Sequence, residues 1–181
     1  MSARSIWVLL AFPLFLAACA TPPDVQDMVA SPEAVEGRPF PDALRENIVV
    51  VSVAGGEKTN PLWTSEINAE GLKSALVESL QAAGLYNAER SSAAYQLIAV
   101  ILNVAQPLFG FDTTVTVTVD YRLLDGKTGK EDLSEALTSQ YTATVGEAFY
   151  GVERLKMANE GAVRENIRML LERLRTLDIS P

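Results

Sequence analysis

The thiol of Cys19 is the chemically distinctive side chain of this sequence, because it is the only cysteine among 181 residues. A thiolate is a nucleophile, and a single thiol cannot form a disulfide within its own chain. The sequence also contains no histidine. This composition excludes a Ser-His-Asp triad, a histidine general base and most zinc sites.

Carboxylates are the remaining candidates for acid–base chemistry, as in glycosidases, where two acidic side chains work as a pair. No Asp or Glu stands in a setting that singles it out, and no phosphate-binding Gly-rich loop is present. With 15 basic and 23 acidic residues, the chain has no basic face that would suit nucleic acid. We therefore expect no enzyme, no catalytic or metal-binding residue, no cofactor and no nucleic-acid partner.

An apolar run precedes the cysteine. After Arg4, residues 6–18 read IWVLLAFPLFLAA and carry no charge. One basic residue, an apolar run and small residues at its end are typical of a secretory signal peptide. The run is too short to span a bilayer core, which needs about 20 apolar residues. We therefore predict a signal peptide over residues 1–18.

Leu16, Ala17, Ala18 and Cys19 resemble the bacterial lipobox, in which a leucine and two small residues precede the modified cysteine. The resemblance implies that the Cys19 thiol receives a diacylglyceryl group, that signal peptidase II cuts before it, and that the new amine is acylated. Three acyl chains anchor a protein far better than one. The alanine at position 20, directly after the cysteine, resembles that of lipoproteins sorted to the outer membrane of Gram-negative bacteria. Such proteins face the periplasm. The alternative is a signal peptide that is cut elsewhere.

Residues 19–46 are predicted to be the lipidated cysteine followed by a flexible tether. From Thr21 to Glu46 the sequence has five prolines, scattered acids and little apolar periodicity. A flexible chain of this length reaches roughly 30 Å. The alternative is that part of it forms an extended strand lying on the domain. Residues 47–181 are then a single domain.

The domain is predicted to begin with a strand over residues 47–54, an apolar β-branched run typical of burial on both faces. A helix over about residues 66–83 follows, because leucines recur every four positions within it. Thr64 or Ser65 could cap the start of this helix, and Gly84 is placed to end it.

The clearest pattern is the alternation TTVTVTVDYRLL over residues 113–124. Its valines point to one side and its threonines to the other, which is typical of a strand with one face on the core and one face open. A strand over residues 94–104 precedes it. A fourth strand follows the turn at residues 125–129, with an inward set of Leu137, Tyr141, Ala143 and Val145.

A long closing helix is predicted over about residues 152–177, where apolar side chains recur at helical spacing. Glu160 with Arg164, and Arg168 with Glu172, are expected to form i,i+4 pairs on its exposed side. The order of elements predicts an α+β domain: a mixed four-stranded sheet (β-α-β-β-β-α) with two helices packed on one face.

The lipobox, the proline-containing segment and this order of elements resemble the lipopolysaccharide-assembly lipoprotein that partners an outer-membrane barrel, and related envelope accessory lipoproteins. The resemblance covers residues 47–177 and lies in topology and length, so no functional residue is carried over. It implies a non-catalytic accessory or assembly factor of an envelope or transport complex, anchored through acylated Cys19 and bound to an envelope protein. The alternative is a lipoprotein that binds a lipid or small molecule between helices and sheet.

Five aromatic residues are predicted to lie at one end of the domain, because the topology brings three loops to that end. These residues are Trp63, Phe109, Phe111, Phe149 and Tyr150. Either the rings close the open end of the core, or they contact a protein partner or the membrane, since exposed aromatic clusters favour interfaces. The tether is expected to enter the first strand at the opposite end, where the chain also ends.

Overall fold

Four strands form one mixed sheet in the computed structural model of the protein, which describes residues 20–32, 39–59, 65–107 and 110–179. The strands are β1 (Ile48–Gly55), β2 (Tyr95–Ala105), β3 (Thr113–Asp125) and β4 (Glu131–Ala143). They lie side by side in chain order, with β1 parallel to β2 and the other neighbours antiparallel. The predicted α+β class and mixed four-stranded sheet are confirmed.

Two long helices pack against the sheet, as predicted. They are α2 (Ala69–Ala82), which packs on β1, and α3 (Gly151–Thr176), which packs on β3 and β4. Asn68 caps α2 by accepting a hydrogen bond of 2.8 Å from the Gly71 N–H. The predicted cap is therefore wrong for Ser65, which is buried upstream of the helix, while Thr64 lies outside the described residues. Gly84 follows the helix with a φ of 68°, as a C-terminal glycine should.

The core lies between the helices and one face of the sheet. The inward side chains of β3 are fully buried, and so are the core side chains of both helices; these are Val115, Val117, Val119, Tyr121, Leu123, Leu72, Leu76, Leu80, Ile167, Leu170 and Leu174. On the open face the hydroxyls of Thr114 and Thr142 lie 2.9 Å apart. The alternation read from the sequence is thus confirmed. β1 is buried only over Ile48–Val50, because it is the edge strand.

Two surface details of the prediction are wrong. Val145 does not point inward, because β4 ends at Ala143 and Val145 lies exposed in the following turn. Glu160 is buried and does not pair with Arg164, whose guanidinium lies 5.7 Å from the centroid of the Tyr141 ring. The predicted pair of Arg168 with Glu172 is present.

Residues 20–32 are bound to the domain between α2 and α3, so the prediction of a free tether is wrong for them. A short helix, α1 (Val25–Met28), contacts both α2 and α3. The Ala30 N–H donates to Ser79 Oγ of α2 at 3.0 Å, and the Asp24 N–H donates to Glu160 Oε1 of α3 at 2.7 Å. Met28 is 2% exposed. The physical reason is that Met28 and its apolar neighbours bury their side chains in a groove that the two helices leave open.

Candidate interaction site at the aromatic end

Two loops of the sheet project from the same end of the domain. β2 ends at Ala105 and β3 begins at Thr113, which pairs with Ala143 at the end of β4. The loop between β2 and β3 and the loop from β4 to α3 therefore leave the sheet side by side. We call this part of the molecule the aromatic end and define it by Phe111, Phe149 and Tyr150.

The three rings of the aromatic end are exposed to solvent. Phe111 is 89% exposed, Phe149 81% and Tyr150 67%. The rings of Phe149 and Tyr150 meet edge to face, with centroids 5.6 Å apart. The alternative that these three rings close the core is therefore excluded, while a role in binding stays a prediction. Trp63 and Phe109 lie outside the described residues.

Polar contacts fix the loop that carries Phe149 and Tyr150. Glu147 Oε2 accepts hydrogen bonds from the Thr144 N–H at 2.7 Å and from its hydroxyl at 2.8 Å. These bonds hold the pKa of Glu147 below its usual value. From α3, Arg154 Nη1 donates to the carbonyls of Ala148 at 2.9 Å and Phe149 at 2.6 Å. The rings are thus presented by a loop whose backbone is held from both sides.

Phe111 is linked to the same loop through its neighbour. Asp112 Oδ1 accepts a hydrogen bond of 3.2 Å from the Val145 N–H. This bond joins the start of β3 to the loop after β4, so Phe111 and the Phe149–Tyr150 pair lie on connected segments. Exposed aromatic side chains on adjacent segments favour an interface.

A buried polar junction holds the remaining loop at this end, and sequence reasoning did not find it. Gln106 Nε2 donates to the Ser65 carbonyl and to Asn159 Oδ1, both at 3.0 Å. Asn159 Nδ2 donates to the same carbonyl at 2.7 Å. The junction joins the end of β2, the segment before α2 and α3. No local sequence signal marks it, since its partners are separated by up to 94 positions.

The described chain also begins at the aromatic end. Ala20 is 5% exposed, and Pro22 lies beside Gly55 at the end of β1 and Asn68 at the start of α2. At the other end of the segment, the Pro32 carbonyl accepts a hydrogen bond from Arg175, near the end of α3. Residues 20–32 therefore run the length of the helices. The tether enters β1 at the opposite end, as predicted, because the Glu46 N–H donates to the carbonyl of Gly84, just after α2. Residue 20 nevertheless lies at the aromatic end, while Cys19 itself lies outside the described residues.

A cluster of charged groups lies where residues 20–32 meet α3. Glu160, Lys156 and Glu153 of α3 surround a depression of about 260 Å³ together with Asp27 and Tyr141. Burial raises the pKa of Glu160, against the opposing effects of the Asp24 N–H and of Lys156. Because Glu160 accepts a hydrogen bond from the backbone N–H of Asp24, the cluster holds residues 20–32 on α3.

Within the described ranges, no three His, Cys, Asp or Glu side chains are grouped so that they could hold a metal ion. Of the helices that the structure describes, none has the length and apolar content needed to cross a bilayer. Two depressions, of about 390 and 510 Å³, flank Gly56 and Glu57, and both are open to solvent.

Comparison with known proteins establishes the class of fold. No family model and no curated protein matches the sequence. Among solved structures, a Xanthomonas campestris protein described with the family DUF330 superposes with a TM-score of 0.54 at 12% identity, over 81% of this chain and 90% of its own. A candidate lipoprotein from Caulobacter crescentus gives 0.51 at 20% identity, over 74% of this chain and 90% of its own. At these identities the likeness shows a shared fold.

Proposed function

We propose that this protein is a lipoprotein, acylated at Cys19 and held on the periplasmic face of the outer membrane of a Gram-negative bacterium. There it acts as a non-catalytic accessory or assembly factor of an envelope complex. The observation that carries the proposal is the position of the lipobox-like residues 16–19, which follow an uncharged apolar run and directly precede Ala20, the first residue that the structure describes.

Two further observations support the proposal. The Caulobacter crescentus protein that shares the fold is described as a candidate lipoprotein. The accessory role is supported by the chemistry of the sequence, which has no histidine and only the thiol of Cys19. An accessory factor acts through the surfaces that it offers to partners, and the exposed aromatic end is such a surface.

The alternative of a lipid or small-molecule carrier needs an enclosed and mostly apolar cavity. The described depressions beside Gly56 and Glu57 are open and are bordered by charged and amide side chains. The leucines of α2 that face the sheet are fully buried in contact with core side chains. This geometry favours the accessory role over the carrier role.

Metabolic labelling with an alkyne fatty acid tests the anchor. The wild type should take up label and fractionate with the outer membrane, whereas Cys19→Ser should take up none, because a hydroxyl does not replace the thiol in this processing. The matched control is Ala20→Asp, which keeps Cys19 and should stay labelled while moving to the inner membrane. Equal labelling of wild type and Cys19→Ser would refute acylation at this residue.

Chemical cross-linking in whole cells tests the accessory role. We expect the extracted wild type to carry a specific envelope protein in fixed proportion, identified by mass spectrometry. A chain that is extracted only as an isolated monomer under these conditions would refute an assembly role, even if the labelling experiment succeeds.

A further inference from the structure

We propose that the aromatic end faces the bilayer and that Phe111, Phe149 and Tyr150 enter the lipid headgroup region, so that the domain rests on the membrane surface. The inference rests on the lipid anchor of the proposed function. It goes beyond that function by fixing the orientation of the domain and by assigning a lipid-binding role to three named rings.

A lipid anchor on Cys19 would have little slack behind it. Residues 20–32 are held by hydrogen bonds to both α2 and α3 and by the buried side chain of Met28. Consecutive Cα atoms are roughly 3.8 Å apart. Acyl chains on Cys19 would therefore begin within one residue of Ala20, which is packed against the domain.

Residue 20 lies at the aromatic end of the domain. Pro22 lies beside Gly55 and Asn68, where β1 ends and α2 begins, and this is the end of the sheet from which the aromatic loops project. The turn between β3 and β4, at residues 126–130, lies at the opposite end. Since α3 has 26 residues, the two ends are separated by about 40 Å. An anchor at residue 19 thus brings the aromatic end to the membrane and keeps the turn away from it.

The aromatic end has the side chains that suit a membrane surface. Aromatic rings are favoured at the boundary between headgroups and acyl chains, and membrane affinity grows with the apolar area buried there. Three exposed rings would bury this area at little cost, because the Phe149–Tyr150 loop is already held by Glu147 and Arg154. The bilayer is favoured over a protein partner as the occupant because the point of lipid attachment is at the same end.

The charges of the segments that carry the rings favour contact with neutral lipid. Residues 106–112 and 144–150, which carry the rings, contain no lysine or arginine. They do contain Asp112 and Glu147, whose carboxylates are near the surface and bonded to backbone N–H groups. Anionic headgroups would be repelled, so the contact should depend on the rings and should be insensitive to salt.

The test places a fluorescent reporter at each end of the domain. Cys19 is the only thiol, so the chain from residue 19 to residue 181, which retains every described residue, can be coupled through it to a maleimide lipid in phosphatidylcholine vesicles. Trp63→Phe removes the one tryptophan of this chain. Onto this background we add Phe149→Trp at the aromatic end, or Lys127→Trp in the exposed distal turn as the matched control.

Brominated phosphatidylcholine then reports the contact. We expect Phe149→Trp to show blue-shifted emission and several-fold stronger quenching than Lys127→Trp, with no change between low and high salt. Adding Phe111→Ser and Tyr150→Ser to the Phe149→Trp reporter should reduce the quenching. If Trp63→Phe lowers the melting temperature, Trp63 is retained in both reporters. The quenching of each reporter is then compared with that of the chain without the added tryptophan.

Equal and weak quenching of the two reporters, or stronger quenching of Lys127→Trp, would overturn the proposed orientation. A Phe149→Trp reporter that stays unquenched by lipid and is shielded only when an envelope protein is added would assign the rings to that protein. Because the coupling is chemical, these outcomes do not depend on acylation in cells. Failure of Cys19 labelling and failure of the membrane contact are therefore distinguishable.

Discussion

The main-chain N–H of Asp24 donates a 2.7 Å hydrogen bond to Glu160 Oε1, a partner 136 positions away. Lys156 Nζ lies 3.6 Å from the same oxygen, and Arg164 donates to the carbonyl of Asp27. Glu160 is only 4% exposed. Residues 20–32 are thus fixed to α3 through the buried carboxylate of Glu160.

Glu160 should make stability depend on pH. Burial raises its pKa above the ordinary value of 4.5, so the folded protein holds this proton more tightly than the unfolded chain. The contribution of Glu160 to the free energy of unfolding should therefore fall as pH rises from 4.5 through the raised pKa. Glu160→Gln removes this titration, so its stability relative to the wild type should increase between pH 4.5 and pH 7. Urea unfolding at both pH values measures the difference.

The control for this experiment is Glu153→Gln, which removes an exposed carboxylate from the same helix. Its stability relative to the wild type should change less over the same interval. A Glu160→Gln difference that is constant with pH, or that moves toward the wild type as pH rises, would contradict the assignment.

Met28→Ala should cost stability even though it lies in a segment of tether-like composition. Met28 is buried in the groove between α2 and α3, and such a truncation typically costs about 2–5 kcal/mol. Thr21→Ala, at an exposed position of the same segment, should stay within about 0.5 kcal/mol of the wild type. Urea unfolding compares the two, and an unchanged midpoint for Met28→Ala would restore the free-tether prediction.

Gly161→Ala should destabilise the domain although alanine is the better helix former. A Cβ at position 161 would lie 2.3 Å from Cγ of the Tyr141 ring, and overpacking of this kind costs about 1–3 kcal/mol. Gly151→Ala, in the same helix but with 3.6 Å to its nearest neighbour, is the matched control. Thermal melts should show that adding Tyr141→Ala reduces the penalty of Gly161→Ala. Full additivity of the two changes would argue against the clash.

Phe111→Ser with Phe149→Ser should leave the fold intact. Both rings are exposed, so the pair should stay near wild-type stability, within about 0.5 kcal/mol for each change. Leu170→Asp buries an unpaired carboxylate at a fully buried position and should cost several kcal/mol, as should Leu76→Asp. Thermal melts separate the two classes. A large drop for the phenylalanine pair would mean that the rings support the core after all.

The sheet and long helices could be predicted because their signals are local. The alternation over residues 113–124 and the leucine spacing in α2 depend on neighbours within one strand or helix. The exact cap of α2 could not be chosen, since Thr64, Ser65 and Asn68 all offer suitable side chains within one turn. Only the structure shows which of them reaches a free N–H.

The path of residues 20–32 could not be predicted, because α1 is only four residues long and has no measurable period. Its binding depends on Ser79 and Glu160, which are distant in sequence. For the candidate site, topology indicated which end carries Phe111, Phe149 and Tyr150. It could not decide between buried and exposed rings, since loop direction depends on contacts such as that of Asp112 with the Val145 N–H.

The place of residues 20–32 between α2 and α3 also sets an order of events in the making of the protein. Residues 20–32 are synthesised early, yet they bind a groove whose second wall, α3, is the last described element to leave the ribosome. Such long-range contacts form late in folding. A chain truncated before Gly151 should therefore leave residues 20–32 open to protease.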